Sequence, residues 1–168
     1  QNLPVATYTT DEQGYLTYFN DAAAGLWGRK PNLREEQWCG SYEIFRMDGT
    51  PVPLDEGPMA IALKKGEYKF GEEFYIERPD GTRRYMIPSP IIDFDSSGNI
   101  IGGVNTLIDI TAQIQAKQES EQLQQQKDDF IGIASHELKT PITVIKSYAQ
   151  ILEMLLIEKG NIQEAAMA

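Results

Sequence analysis

Short β-like runs punctuated by turn residues fill the first two thirds of the chain, and a helical repeat fills the rest. Val5–Thr10 and Tyr15–Asn20 flank Asp11-Glu12-Gln13-Gly14 and read as a hairpin. Asp21 then stands where it would cap a short helix over Ala22–Trp27. A second helix is predicted from Pro58 to Lys65. Asp55 lies just upstream, Pro58 suits a first turn, and Gly66 follows the last apolar position. Three longer runs come next, Glu72–Glu77, Arg84–Phe94 and Ile100–Ile110, separated by Asp80-Gly81 and Ser97-Gly98 turns. Pro88 and Pro90 cannot donate to a ladder, so the middle run is expected to bend or break there. The pattern over residues 1–111 is α+β: five antiparallel strands with a helical insert between the second and third.

The pattern changes at Thr111. Residues 113–126 hold seven Gln and neither Gly nor Pro, which predicts a solvated helix; residues 112–129 therefore read as a helical linker. From Phe130 the apolar positions fall into register. Ile131, Ala134, Leu138, Pro141, Ile145, Tyr148, Leu152 and Leu155 alternate in steps of three and four, the a and d positions of a heptad. Phe130, Val144 and Ile151 at g, with Ile142, Ala149 and Leu156 at e, widen the apolar face beyond a two-helix seam to that of a helix bundle. Lys159-Gly160-Asn161 is expected to end this helix over 130–158, leaving 159–168 as the start of a hairpin or a tail.

Upstream of Ile131 the same frame puts Lys127, Gln124, Ser120 and Lys117 in the seam, all polar. Ala116, Leu123 and Phe130 instead define a row at g. The two rows are out of phase, which changes supercoiling locally and leaves two packings close in energy.

Composition narrows the partners. A net charge of -10 excludes a surface built to displace counterions from nucleic acid and disfavours contact with an acidic membrane. No run approaches the roughly 20 apolar residues of a membrane span. The lone Cys39 cannot close an intramolecular disulfide, which fits a reducing, cytoplasmic compartment. With one histidine, the chain offers no Cys/His zinc cluster. Trp27, Trp38 and Cys39 read as core. The chain begins at Gln1 without a methionine and reads as a piece of a longer protein.

The single histidine, His136, falls at f, the outermost heptad position, with Glu137 beside it and Thr140 one turn on at c. A core histidine would sit at a or d. Thr143, Ser147 and Gln150 continue an uncharged strip, with Lys139 and Lys146 alongside at b. An exposed neutral imidazole is a competent nucleophile, and an adjacent carboxylate can fix its tautomer. A zinc-protease reading fails because position 140 is threonine, not histidine. Pro141 removes a backbone donor and is expected to kink the helix just past the site.

Phe130-Ile131-Gly132-Ile133-Ala134-Ser135-His136-Glu137-Leu138-Lys139-Thr140-Pro141 resembles the H box of the dimerisation and phosphotransfer domain of sensor histidine kinases, and the match runs through Leu156. Ile91–Thr111, with Gly102-Gly103 before the last strand and Asp109-Ile110-Thr111 closing it, resembles the end of a PAS sensor domain. The resemblance implies that His136 is phosphorylated from ATP, that Glu137 orients the imidazole or takes its proton, and that Thr140 positions water when phosphate is hydrolysed. It also implies a homodimer, a response regulator that receives the phosphate, and a separate ATP-binding domain using ATP and magnesium. Neither that domain nor the second bundle helix is found in this chain. Asp109 and Thr111 are implied in coupling sensor to helix, with Arg83 or Arg84 as the partner of Asp109, or Asp109 as a simple helix cap. No histidine lies in residues 1–110 for haem, and Cys39 is not in the motif of light-sensing PAS domains, so no cofactor is expected and the ligand of the sensor stays unknown. A stand-alone PAS ligand-binding module and a coiled-coil adaptor are the rival readings.

Overall fold

The computed structural model describes residues 5–66, 68 and 70–165. It divides into two units, residues 1–116 and 117–168. In the first, seven strands form one antiparallel sheet: β1 (Ala6–Asp11), β2 (Leu16–Phe19), β3 (Glu43–Arg46), β4 (Pro51–Val52), β5 (Phe74–Glu77), β6 (Arg83–Phe94) and β7 (Ile100–Asp109). Their order across the sheet is β2-β1-β7-β6-β5-β3-β4. Helices α1 (Asp21–Trp27) and α2 (Pro58–Lys65) are inserted between β2 and β5.

The five expected strands are all present, and the β3–β4 pair is added to them. The pair escapes sequence reading because four and two residues, with Glu43, Arg46 and Pro51 among them, carry no alternating apolar signal. β6 is also continuous through Pro88 and Pro90, where a bend or break was expected. Beyond Met86 it pairs with β7 and no longer with β5, so this stretch is an edge, where a residue without an N–H is tolerated.

Helix ends follow local chemistry. Asn20, rather than Asp21, is the N-cap of α1: its side chain accepts from the Ala23 N–H at 2.9 Å, and Asp21 opens the first turn. Helix α2 runs from Pro58 to Lys65 as predicted, closed by Gly66 at φ 73°, a conformation glycine adopts without a steric penalty.

One face of the sheet and the two helices enclose the core. Tyr8, Leu16, Trp27, Met59, Ile76 and Leu107 are all essentially inaccessible to solvent. Trp27 stands edge-on to Tyr8 and Phe19.

The second unit is one element. Helix α3 runs from Thr111 to Ala165, 55 residues, or about 80 Å at 1.5 Å per residue. It passes through Gly160 instead of ending at Lys159-Gly160-Asn161. A lone glycine costs a helix only about 1 kcal/mol relative to alanine. Residues 166–168 of the expected tail lie outside the described residues. No described helix is long and apolar enough to cross a membrane.

Candidate functional site

His136, Glu137, Thr140 and Pro141 all lie on α3, exposed to solvent. Thr140 is the i+4 neighbour of His136 and shares its face. Along the strip beyond them, Thr143 Oγ1 donates to the Lys139 carbonyl at 2.8 Å, and Ser147 Oγ donates to the Thr143 carbonyl at 2.9 Å. Both hydroxyls are thus folded back on the helix, leaving a low uncharged surface C-terminal to His136. Pro141 lies inside the helix and offers no N–H to the Glu137 carbonyl four residues back. That carbonyl belongs to the residue beside His136.

The apolar face of the repeat is bare within this chain. Phe130, Ile131, Leu138, Ile142, Ile145, Tyr148, Leu152 and Leu155 are each at least half exposed. A row of this size and regularity is a surface made to be covered.

The strand-to-helix junction holds the other two residues of interest. Asp109 Oδ1 accepts from the Thr111 N–H at 2.8 Å, the geometry of a helix cap. Thr111 is buried, and its Oγ1 accepts from the Tyr85 N–H at 2.9 Å, while the Ile110 N–H donates to the Tyr85 carbonyl at 2.9 Å. The start of α3 is therefore tied to one backbone unit of β6.

Neither arginine expected beside Asp109 forms an ion pair with it among the described residues. Arg83 is taken by Glu77 at 3.1 Å. Arg84 and Arg78 share a groove with Asp109. Arg78 was not anticipated: its Nε donates to the Leu26 carbonyl at 3.0 Å, and its guanidinium also reaches the Gly25 carbonyl, fastening the end of α1. Partial burial, with Arg84 close by, lowers the Arg78 pKa; Asp80 and Asp109 oppose that shift. A contact spanning 52 residues has no local sequence signal.

Within the sensor core, Tyr8 Oη donates to the Trp38 carbonyl at 2.8 Å and accepts from Asn105 Nδ2 at 3.0 Å, and Asn105 Oδ1 accepts from the Ser89 N–H at 3.0 Å. The cavity beside them measures about 10 Å³. That is the lower limit for one water, far below the roughly 300 Å³ of an organic-ligand pocket. Cys39 and Trp27 are buried as expected, and burial pushes the Cys39 thiol pKa up, keeping it protonated and inert. Trp38 is only partly buried, at φ 73°, with the Lys64 ammonium 5.1 Å from its ring.

Replacing Thr111 with valine keeps the shape but removes the acceptor of the Tyr85 N–H. The expected loss is about 1–3 kcal/mol, the cost of an unpaired, half-buried donor. Urea denaturation of the chain measures it, and unchanged stability would show that the hydroxyl does not hold the junction.

A seven-stranded antiparallel sheet with short inserted helices, ending in a buried threonine that opens a long helix, has the architecture of a PAS domain followed by a helix. Residues 4–112, more than half of the chain, match the PAS domain family, and the chain belongs to it. Residues 126–166 match the family described as His Kinase A (phospho-acceptor) domain. This is the domain arrangement of sensor histidine kinases. The sensor protein SrrB of Staphylococcus aureus (strain MRSA252) is 31% identical over 116 residues, which are 67% of this chain and 18% of that protein. The autoinducer 2 sensor kinase/phosphatase LuxQ of Vibrio vulnificus (strain YJ016) is 31% identical over 156 residues, 91% of this chain and 17% of that one. The chain thus spans less than a fifth of either relative. The PAS domain of the fruit-fly ELK potassium channel shares the fold, with a TM-score of 0.51 at 11% identity over 66% of this chain and 90% of that one.

Proposed function

We propose that this chain is the sensory and phosphoacceptor part of a two-component histidine kinase, with His136 as the residue phosphorylated. One observation carries the reading: the only histidine, at the f position of the heptad repeat, lies inside the segment that matches the phospho-acceptor family.

The chemistry needs little beyond an accessible ring nitrogen. The imidazole attacks the γ-phosphorus of ATP, a P–N bond forms as the bridging P–O bond breaks, and ADP leaves. Glu137 is adjacent to take the ring proton or hold the tautomer. In the second step an aspartate carboxylate of a response regulator attacks the same phosphorus, and the P–N bond breaks. ATP and magnesium belong to a separate ATP-binding domain of the full-length protein. The bare apolar face of α3 supports a parallel homodimer closed along residues 112–157.

Labelled ATP tests the assignment directly. The isolated chain should take up no phosphate, whereas the full-length kinase should take it up at His136. Label on any other residue of the full-length kinase would overturn the reading.

Thr140, one turn from His136, is suited to hold the water that hydrolyses the regulator's acyl phosphate. Thr140→Ala is expected to slow dephosphorylation of the regulator roughly tenfold or more while changing autophosphorylation by less than about twofold, the scale of losing one positioned hydrogen bond. Equal loss of both activities would make Thr140 structural.

A further inference from the structure

Strand alternation puts Arg84 on the same face of β6 as the buried Met86, and Asp109 on the same face of β7 as the buried Leu107. Arg78 comes just after β5, two positions beyond the buried Ile76. At this end of the sheet the core face therefore changes from apolar to charged. The three side chains line a groove of about 670 Å³ that lies wholly within the first unit, with α1 and the first turn of α3 as its other walls. The core cavity of about 10 Å³ is too small for an organic molecule. The groove falls within the roughly 300–1,000 Å³ of organic-ligand sites.

Charge in the groove is unbalanced. Two guanidinium groups, Arg78 and Arg84, stand against one carboxylate, Asp109, and among the described residues neither arginine forms an ion pair. Asp109 already accepts from the Thr111 N–H, and Asp80, the other acid near Arg78, is bonded to Thr82 outside the groove. The bonds from Arg78 to the Leu26 and Gly25 carbonyls fix its guanidinium and leave further N–H donors over. Ala22, Leu26 and Leu107 supply apolar wall. Gly25 also lines the groove, and a Cβ added there would meet nothing within 4 Å. Glycine weakens a helix, and no contact within the chain calls for it at this position of α1; its effect is to keep the groove open.

We propose that this groove binds a small organic monocarboxylate, with its carboxylate held by Arg84 and Arg78 and its apolar body against Ala22, Leu26 and Leu107. The planar fork of arginine matches a carboxylate. One positive charge left over selects a monoanion, and the apolar wall selects an organic anion over an inorganic one. Bound there, the ligand lies against the first turn of α3. The site is independent of the phosphoacceptor reading of His136.

In an NMR titration of this chain, benzoate and hexanoate are each expected to shift the amides of residues 22–26 and 108–113. Half-saturation should come at about 1 mM or below, the range open to ligands of roughly nine non-hydrogen atoms. Benzamide has the ring without the charge, and inorganic phosphate the charge without the body; each should bind roughly tenfold or more weakly than benzoate. Arg84→Gln should weaken benzoate binding roughly tenfold or more, the scale of a lost charge-assisted hydrogen bond. Asp109→Asn keeps an oxygen to cap Thr111 and removes the competing charge, so it should tighten benzoate binding roughly threefold or more. A destabilised variant cannot bind more tightly, so this arm stands whether or not Arg84→Gln folds. The absence of a saturable shift from either probe at about 10 mM overturns the proposal. Equal affinity for benzamide would leave only an apolar patch, equal affinity for phosphate only an inorganic-anion site, and shifts centred on Tyr8 and Asn105 would put the ligand in the core; each also overturns it. So does benzoate affinity within about twofold of the parent in folded Arg84→Gln, or unchanged or weaker in Asp109→Asn.

Discussion

Replacing His136 by glutamine is expected to abolish acid-labile phosphate on this segment of the full-length kinase, a loss of at least about a thousandfold because the segment holds no second histidine. The sequence holds no other histidine, so nothing in this segment can substitute for it. Glutamine keeps the length and polarity of the side chain, so the helix, its apolar face and the dimer should persist. Phosphate retained after alkali and lost after mild acid, measured on parent and variant side by side, gives the answer. Undiminished acid-labile phosphate in the variant would place the acceptor elsewhere.

The second large effect concerns helical phase. Seven residues inserted near Gln124 should preserve signal-dependent activity, because they restore the heptad frame and turn the helix by a nearly whole number of turns. Insertions of two or four residues should lock or invert the output, changing the ratio of activities with and without signal by roughly tenfold or more, the span of a two-state bias of a few kcal/mol. The reason lies in the out-of-phase rows. Below Ile131 the seam uses a and d, whereas above it Ala116, Leu123 and Phe130 follow g, with Leu123 and Phe130 both more than two thirds exposed. In the proposed dimer, two copies of α3 would satisfy one row or the other, and a small rotation from the sensor would choose between them. Identical behaviour of all three insertions would reduce the linker to a tether.

Much of this architecture is legible in the chain because it is written in local chemistry. Helix α2 falls where Pro58 and Gly66 place it, and the long β6–β7 hairpin follows from its turn residues. The long helix around His136 is readable for the same reason: a heptad is a local repeat, and the f position of His136 follows from counting along it. What resisted reading depends on distant partners. Whether Pro88 and Pro90 interrupt a strand depends on where β5 stops. Arg78 looks like any turn-flanking arginine until α1 is folded against it. Asp109 could have met Arg83 or Arg84, but Glu77 holds Arg83, and the helix start holds Asp109.

The tie between Tyr85 and the first turn of α3 uses two backbone amides, one carbonyl and one hydroxyl, and among the described residues no ion pair shares the work. Dissolved ions screen exposed charges over about 8 Å at physiological strength but leave short, shielded hydrogen bonds untouched. A joint built this way is expected to keep its strength as salt rises, and unfolding of the chain in urea at low and high ionic strength checks it.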